Sequence, residues 1–165
     1  MPESLHRLML RCFGQAPVWM RRRIVRLIAP SFTVGAICHI ERADGSVLLV
    51  RQAYRRSWGI PGGLLQRGEV PADAARREVF EEVGLRIELI GEPAVVVDAD
   101  PQRIDVIFRA RPVDEAEADQ ARPCSPEIDD VRWFAADRLP DLQFETSHAL
   151  VTLARSARSP QARPL

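Results

Sequence analysis

Three carboxylates, Glu78, Glu81 and Glu82, fall within the stretch RREVFEEVG, residues 76–84. On an α-helix at about 100° per residue they occupy an arc of roughly 100°. Like charges three and four apart on a helix repel by a few tenths of a kcal/mol, and such a cluster raises its own pKa values. One or more Mg2+ ions reverse that balance, because hard divalent cations take carboxylate oxygens together with substrate phosphates. Arg77 lies four residues before Glu81 and is within reach of the cluster, where it can hold one carboxylate in place. Immediately upstream, in SWGIPGGLLQRGE, Gly62 and Gly63 lack side chains, so backbone carbonyls or amides there can approach a metal or a phosphate closely. A Pro-Gly-Gly loop alone is an ordinary tight turn, and a Glu-rich helix alone is a solvated face. Their adjacency at fixed spacing is what points to metal-assisted phosphate chemistry.

The elements around this pair must hold it rigid. Pro71 opens the acidic helix, which runs to about Val83, and Gly84 ends it as a C-cap residue. Ala72, Ala75, Val79 and Val83 lie mostly on an adjoining stripe that can pack against a sheet. Upstream, SFTVGAICHIER reads as a strand, Asp44-Gly45 as a turn and VLLVRQ as a second strand. The Gly- and Pro-rich loop that follows cannot be regular throughout. Downstream, RIELI and AVVVDA read as two strands or one bent strand, RIDVIFRARP as a strand, and VDEAEADQARPCSP as an acidic surface loop. EIDDVRWFA is the final strand and ETSHALVTLARSA the C-terminal helix. Strands interleaved with a few helices predict an α/β domain, over residues 31–157, with a mixed sheet covered on both faces.

The flanks differ in character. Residues 1–30 hold six Arg against one Glu, and the segments 4–13 and 17–28 have apolar residues at helical spacing. They read as two short basic amphipathic helices forming an N-terminal extension. It packs on the domain or on a second subunit, giving a homodimer, or else contacts a membrane surface or nucleic acid. Residues 158–165 are expected to be a disordered tail. All 23 basic side chains are Arg and the formal net charge is zero, so the centre of the chain is acidic. Three scattered cysteines without a C-x-x-C pair argue against a disulfide framework or structural zinc, which leads to the expectation of a reducing cytoplasm. No apolar run of about eighteen residues exists, so no transmembrane helix is expected. His6, His39 and His148 lack ligand spacing.

Taken together, residues 63–85, GLLQRGEVPADAARREVFEEVGL, fit G-x5-E-x7-R-E-U-x-E-E-x-G-U, with U a bulky aliphatic residue. Gly63, Glu69, Arg77, Glu78, Glu81, Glu82 and Gly84 fill the fixed positions, and Val79 and Leu85 the aliphatic ones. This pattern resembles the Nudix box, and the chain resembles a Nudix hydrolase. The resemblance implies the Nudix fold, a mixed sheet between helices. It also implies Mg2+- or Mn2+-dependent hydrolysis of the diphosphate linkage in a nucleoside diphosphate derivative, such as ADP-ribose or a nucleotide sugar, or in a nucleoside triphosphate. It further implies metal ligation by Glu78, Glu81, Glu82 and the carbonyl of Gly62, with Glu78 also the candidate general base and Arg77 orienting it. Glu69 is expected to support the loop–helix junction or make an outer metal contact. Family members often add an acid from outside the box. Glu127 in SPEIDDVRWF is the first candidate here, with Asp98, Asp100 and Asp129 as alternatives.

Specificity is less legible. Tyr54 and Trp58 flank the loop and either ring could stack on a base, or both could pack against the domain. Arg51, with Arg55 and Arg56, could receive phosphates or lie in solvent. Pro101, sixteen residues after Leu85, resembles an ADP-ribose-hydrolysing subgroup, although DADPQR is also a plain turn. The competing function classes are a catalytically silent nucleotide sensor, which the intact carboxylate set opposes, and a nucleic-acid or membrane module acting through the basic N-terminal segment. The partner expected is a small nucleotide rather than nucleic acid.

Overall fold

The computed structural model describes Arg7, Arg11 and residues 13–29 and 31–156. The chain divides after Phe32 into two compact units. In the first, helix α1 spans Val18–Ile28 and opens after Pro17, with the Ala29 N–H bonded to the Val25 carbonyl at 2.8 Å. Of the other expected helix, over 4–13, only Arg7, Arg11 and Phe13 fall among the described residues, and these are helical. The expected tail over 158–165 lies outside the described residues.

The second unit holds strands β1 (Thr33–Ile40), β2 (Ser46–Gln52), β3 (Gly62–Leu64), β4 (Ile87–Asp98), β5 (Arg103–Pro112) and β6 (Ile128–Ala135). Its helices are α2 (Pro71–Val83), α3 (Glu115–Ala118) and α4 (Phe144–Ser156). One mixed sheet has the order β3-β1-β5-β4, with β1 parallel to β5 and the other neighbours antiparallel; β2 and β6 form a second, antiparallel pair.

Alternation along the strands explains the layers. Ala36, Cys38 and Ile40 of β1, Leu48 and Val50 of β2, and Phe108 and Ala110 of β5 face one core with Ala74, Ala75, Val79 and Val83 of α2. Their intervening neighbours Val47, Leu49 and Ile107 face a second core with Ala149 and Leu153 of α4. Strands buried on both faces need helices on both faces, and the fold is the expected α/β/α arrangement. One open alternative is decided here, and two local features were not explicit in the sequence. RIELI and AVVVDA form one strand, whose register breaks between Ile90 and Ala94 at Gly91. The acidic loop contains the short α3, which the Asp114 side chain caps by accepting from the Ala116 N–H at 2.9 Å. Part of the Gly-rich loop is a strand, β3, paired with β1. No helix among the described residues is long and apolar enough to cross a membrane.

Candidate active site

The acidic helix is fixed at both ends. Pro71 occupies its first turn, and Gly84 ends it in the left-handed conformation at φ 70°, with its N–H bonded to the Phe80 carbonyl. Val79 and Val83 are fully buried, so the rotation of the helix about its axis is set by the core, and with it the direction of each carboxylate.

Arg77 organises the cluster. Its Nε and Nη2 donate to the two oxygens of Glu69, both at 2.8 Å. Its Nη1 donates to Glu78 Oε1 at 2.8 Å and to Glu81 Oε2 at 3.0 Å, and Nη2 also reaches the Leu64 carbonyl at 3.3 Å. These five bonds match the five N–H donors of a guanidinium. The Arg77 bonds, with a further one from the Gln66 N–H, hold Glu69 down at about 2. The strongest grip of Arg77 is therefore on Glu69, beside its bond to Glu78.

Glu82 differs from its neighbours. It is 6% exposed and accepts a hydrogen bond from the Gly62 N–H at 2.9 Å, with no ion pair among the described residues. Burial, then the charges of Glu78, Glu127 and Glu81, push its pKa from 4.5 up to about 7, against the lowering effect of the Gly62 bond. The loop has no room for side chains here. A Cβ on Gly62, at φ 141°, would lie 2.3 Å from the Ala36 carbonyl oxygen, and one on Gly63 would lie 2.5 Å from the Glu78 carboxyl carbon.

Most of these residues line a cleft of about 610 Å3. Gly62, Arg77, Glu78, Glu82, Glu127 and Tyr54 all border it. Glu81 does not; its side chain is half exposed and tied to Arg77. Asp98, Asp100 and Asp129 are also absent from the lining, and Pro101 sits in the exposed turn between β4 and β5. Of the alternatives open for Trp58 and Arg51, the structure places both side chains away from the lining of this cleft. Trp58 packs edge-on against Phe134 at 4.9 Å in the second core, and its backbone pairs with Asp141 and Gln143, so its ring does not reach the cleft. Arg51 lies on β2 opposite Asp130, 3.7 Å from that carboxylate and over the Trp58 ring, and it too lies outside the lining.

The rest of the lining includes Arg55, one of the candidate phosphate receivers, and Arg103, Asp105, Gln143 and Glu145, which the sequence reading did not single out. Arg103 grips Asp105 through Nε at 2.9 Å to each oxygen, and Arg55 pairs with Glu145 at 3.2 Å. Gln143 donates to Gln52 Oε1 at 3.3 Å and to the Ser57 carbonyl at 3.2 Å. The available signal was in β5, where Arg103 and Asp105 interrupt the face that continues into buried Ile107.

No group of three His, Cys, Asp or Glu side chains among the described residues converges as a formed metal cluster. The donor chemistry nevertheless suits a hard divalent cation. Glu78, Glu82 and Glu127 offer only oxygens, and Glu82 is a buried carboxylate raised in pKa by the like charges of Glu78, Glu127 and Glu81.

A family model described as NUDIX domain matches residues 31–154. A MutT-like protein of Streptomyces ambofaciens is 28% identical over 81% of this chain and 84% of its own length. The human 8-oxo-dGDP phosphatase NUDT18 is 28% identical over 91% of this chain, which spans 45% of the human protein. Among solved structures, a MutT NUDIX hydrolase from Burkholderia pseudomallei superposes with a TM-score of 0.61 at 27% identity, covering 75% of this chain and 99% of its own. A NUDIX hydrolase from Nitrosomonas europaea gives 0.66 at 26% identity, covering 79% and 76%.

Proposed function

This chain belongs to the Nudix hydrolases, and from that premise we propose that it cleaves the diphosphate linkage of a nucleoside diphosphate derivative or a nucleoside triphosphate. Glu78, Glu82, Glu127 and the Gly62 carbonyl would hold Mg2+ or Mn2+. The enzyme class is that of pyrophosphohydrolases, and Nudix hydrolases generally use divalent metals. The working unit is the domain over residues 31–157.

The observation that carries this reading is the charge of the cleft. Its lining has three guanidiniums, Arg55, Arg77 and Arg103, against five carboxylates, Glu78, Glu82, Asp105, Glu127 and Glu145. Each guanidinium is already paired with a carboxylate. A bare diphosphate would meet net negative charge, so it must arrive with divalent cations. Bound there, the cation supplies positive charge against the phosphate oxygens and lowers the barrier to attack at phosphorus.

The chain's own residues divide the remaining work. Arg77 holds Glu78 through Oε1, which leaves Oε2 free to take a proton from the attacking water. Glu69 anchors Arg77 so that this orientation survives substrate entry. Glu82, anchored by the Gly62 N–H, brings a buried negative charge that a divalent cation relieves. Glu81 holds Arg77 from the solvent side, and as a ligand it would serve the more exposed edge of the site. Tyr54, at the mouth, offers a ring for stacking on a base.

The test is a panel of nucleotide sugars, ADP-ribose, dinucleoside polyphosphates, 8-oxo-dGDP and oxidised triphosphates, with phosphate and pyrophosphate release followed separately. At least one substrate should be hydrolysed with Mg2+ or Mn2+, and that activity should disappear in chelator. Tight nucleotide binding with no turnover on any member would instead make the protein a sensor and refute the proposal.

A further inference from the structure

Helix α1 carries no acid in its first turn and places three consecutive guanidiniums, Arg21, Arg22 and Arg23, among large apolar side chains. At about 100° per residue, Met20, Ile24, Leu27 and Ile28 fall within an arc of roughly 100°, which Val25 and Val18 widen to roughly 180°. Leu27 and Ile28 are 80% and 77% exposed. Arg22, Arg23 and Trp19 occupy the opposite side; Arg21 borders the narrower arc beside Ile28 and falls between Ile28 and Val25 within the wider one.

We infer that α1 is a docking surface for an anionic lipid bilayer, lying in the plane of the interface with Met20, Ile24, Leu27 and Ile28 directed into the acyl boundary. An apolar arc needs an apolar medium, and a basic border needs anionic headgroups; a bilayer surface supplies both at once. The charge of the segment points the same way, since residues 1–30 hold six Arg against one Glu. A nucleic-acid strand would match the guanidiniums and leave the apolar arc in water. The helix thereby holds at a membrane a hydrolase whose own cleft is anionic.

The test is co-sedimentation of the full chain with vesicles of phosphatidylcholine alone and with vesicles that also contain phosphatidylglycerol. The protein should partition only onto the anionic vesicles and leave them as salt rises. Leu27→Glu with Ile28→Glu, and separately Arg22→Glu with Arg23→Glu, should each weaken binding at least about tenfold. Hydrolysis measured without vesicles should stay unchanged in both, which also shows that each variant is folded. Equal partitioning onto neutral and anionic vesicles, or binding that survives both variants, overturns the inference. So does an apolar-arc variant that turns a dimer into a monomer while the parent ignores vesicles, which would make α1 a subunit contact. Salt-sensitive binding to single-stranded RNA that survives Leu27→Glu, with no vesicle binding, would assign the helix to nucleic acid and likewise overturn it.

Discussion

Replacing Glu82 by Gln should make the metal-free protein more stable and the enzyme far slower. Burial and like charge raise the Glu82 pKa from 4.5 to about 7. Between those values the folded state holds a proton that the unfolded chain has released, so stability falls as pH rises and the loss is complete above about pH 7. A rise of this size, at about 1.4 kcal/mol per unit, corresponds to roughly 3 kcal/mol. Gln keeps an oxygen to accept the Gly62 N–H and removes the charge. In chelator at about pH 8.5, Glu82→Gln should therefore melt higher than the parent by roughly 6–12 °C, at ~2–4 °C per kcal/mol for a domain of this size. Near pH 4, where both states of the parent are largely protonated, the difference should nearly vanish. Adding Mg2+ should raise the melting temperature of the parent far more than that of the variant. Turnover should fall by roughly a hundred- to a thousandfold, since the lost charge no longer helps hold positive charge at the reacting phosphorus. The assay is differential scanning calorimetry at both pH values, with and without Mg2+, beside initial rates. A variant that melts at or below the parent at the higher pH would refute the assignment of Glu82 as an uncompensated buried charge.

Three further outcomes follow from the same geometry. Glu69→Gln should lower kcat about tenfold with little change in KM, because Glu69 acts through Arg77. Since Arg77 holds the Glu69 pKa at about 2, the stability gap between parent and Glu69→Gln should be full above about pH 4.5 and shrink as pH falls through 2; acid titration of urea midpoints that shows a constant gap counts against the pair. Gly63→Ala should displace the Glu78 carboxyl, which would lie 2.5 Å from the new Cβ, and cut kcat at least about tenfold with a smaller effect on melting; parental kcat would show that Glu78 has freedom the structure does not give it. Trp58→Ala should cost roughly 3 kcal/mol in urea unfolding with KM unchanged, whereas Tyr54→Ala should raise KM about tenfold at parental stability; the reverse pattern would return Trp58 to the substrate side.

How much was legible depends on how local the information was. The α2 helix, its Pro71 start and its Gly84 end could be read directly, because helix period and cap chemistry act within a few residues. Two covered sheet faces were implied by strands interleaved with helices. Arg51 and Trp58 each kept two readings in the sequence, because proximity along the chain to the Gly-rich loop does not fix proximity in space. Arg51 lies on the same side of β2 as Val47 and Leu49, which carries it toward the second core. Arg103 and Glu145 in the cleft lining were hidden for the converse reason. Arg103 reaches the site because β5 pairs in parallel with β1, placing it beside Thr33, and Glu145 arrives from the start of α4. Neither partner is announced by neighbouring residues.

That parallel pairing also bears on the order in which the protein folds. Partners such as Gly35 and Asp105 are 70 residues apart, and contacts so distant in the chain are slow to form because loop closure is unfavourable before they reward it. A nascent α2 holds its repelling carboxylates without the Gly62 N–H, whose place is fixed only when β3 meets β1. The acidic helix should therefore gain its full structure late, with the sheet. A change at the β1–β5 seam, such as at Gly35, where an added Cβ would lie 2.3 Å from Asp105 Oδ1, should show itself first as slower refolding and lower yield of active enzyme.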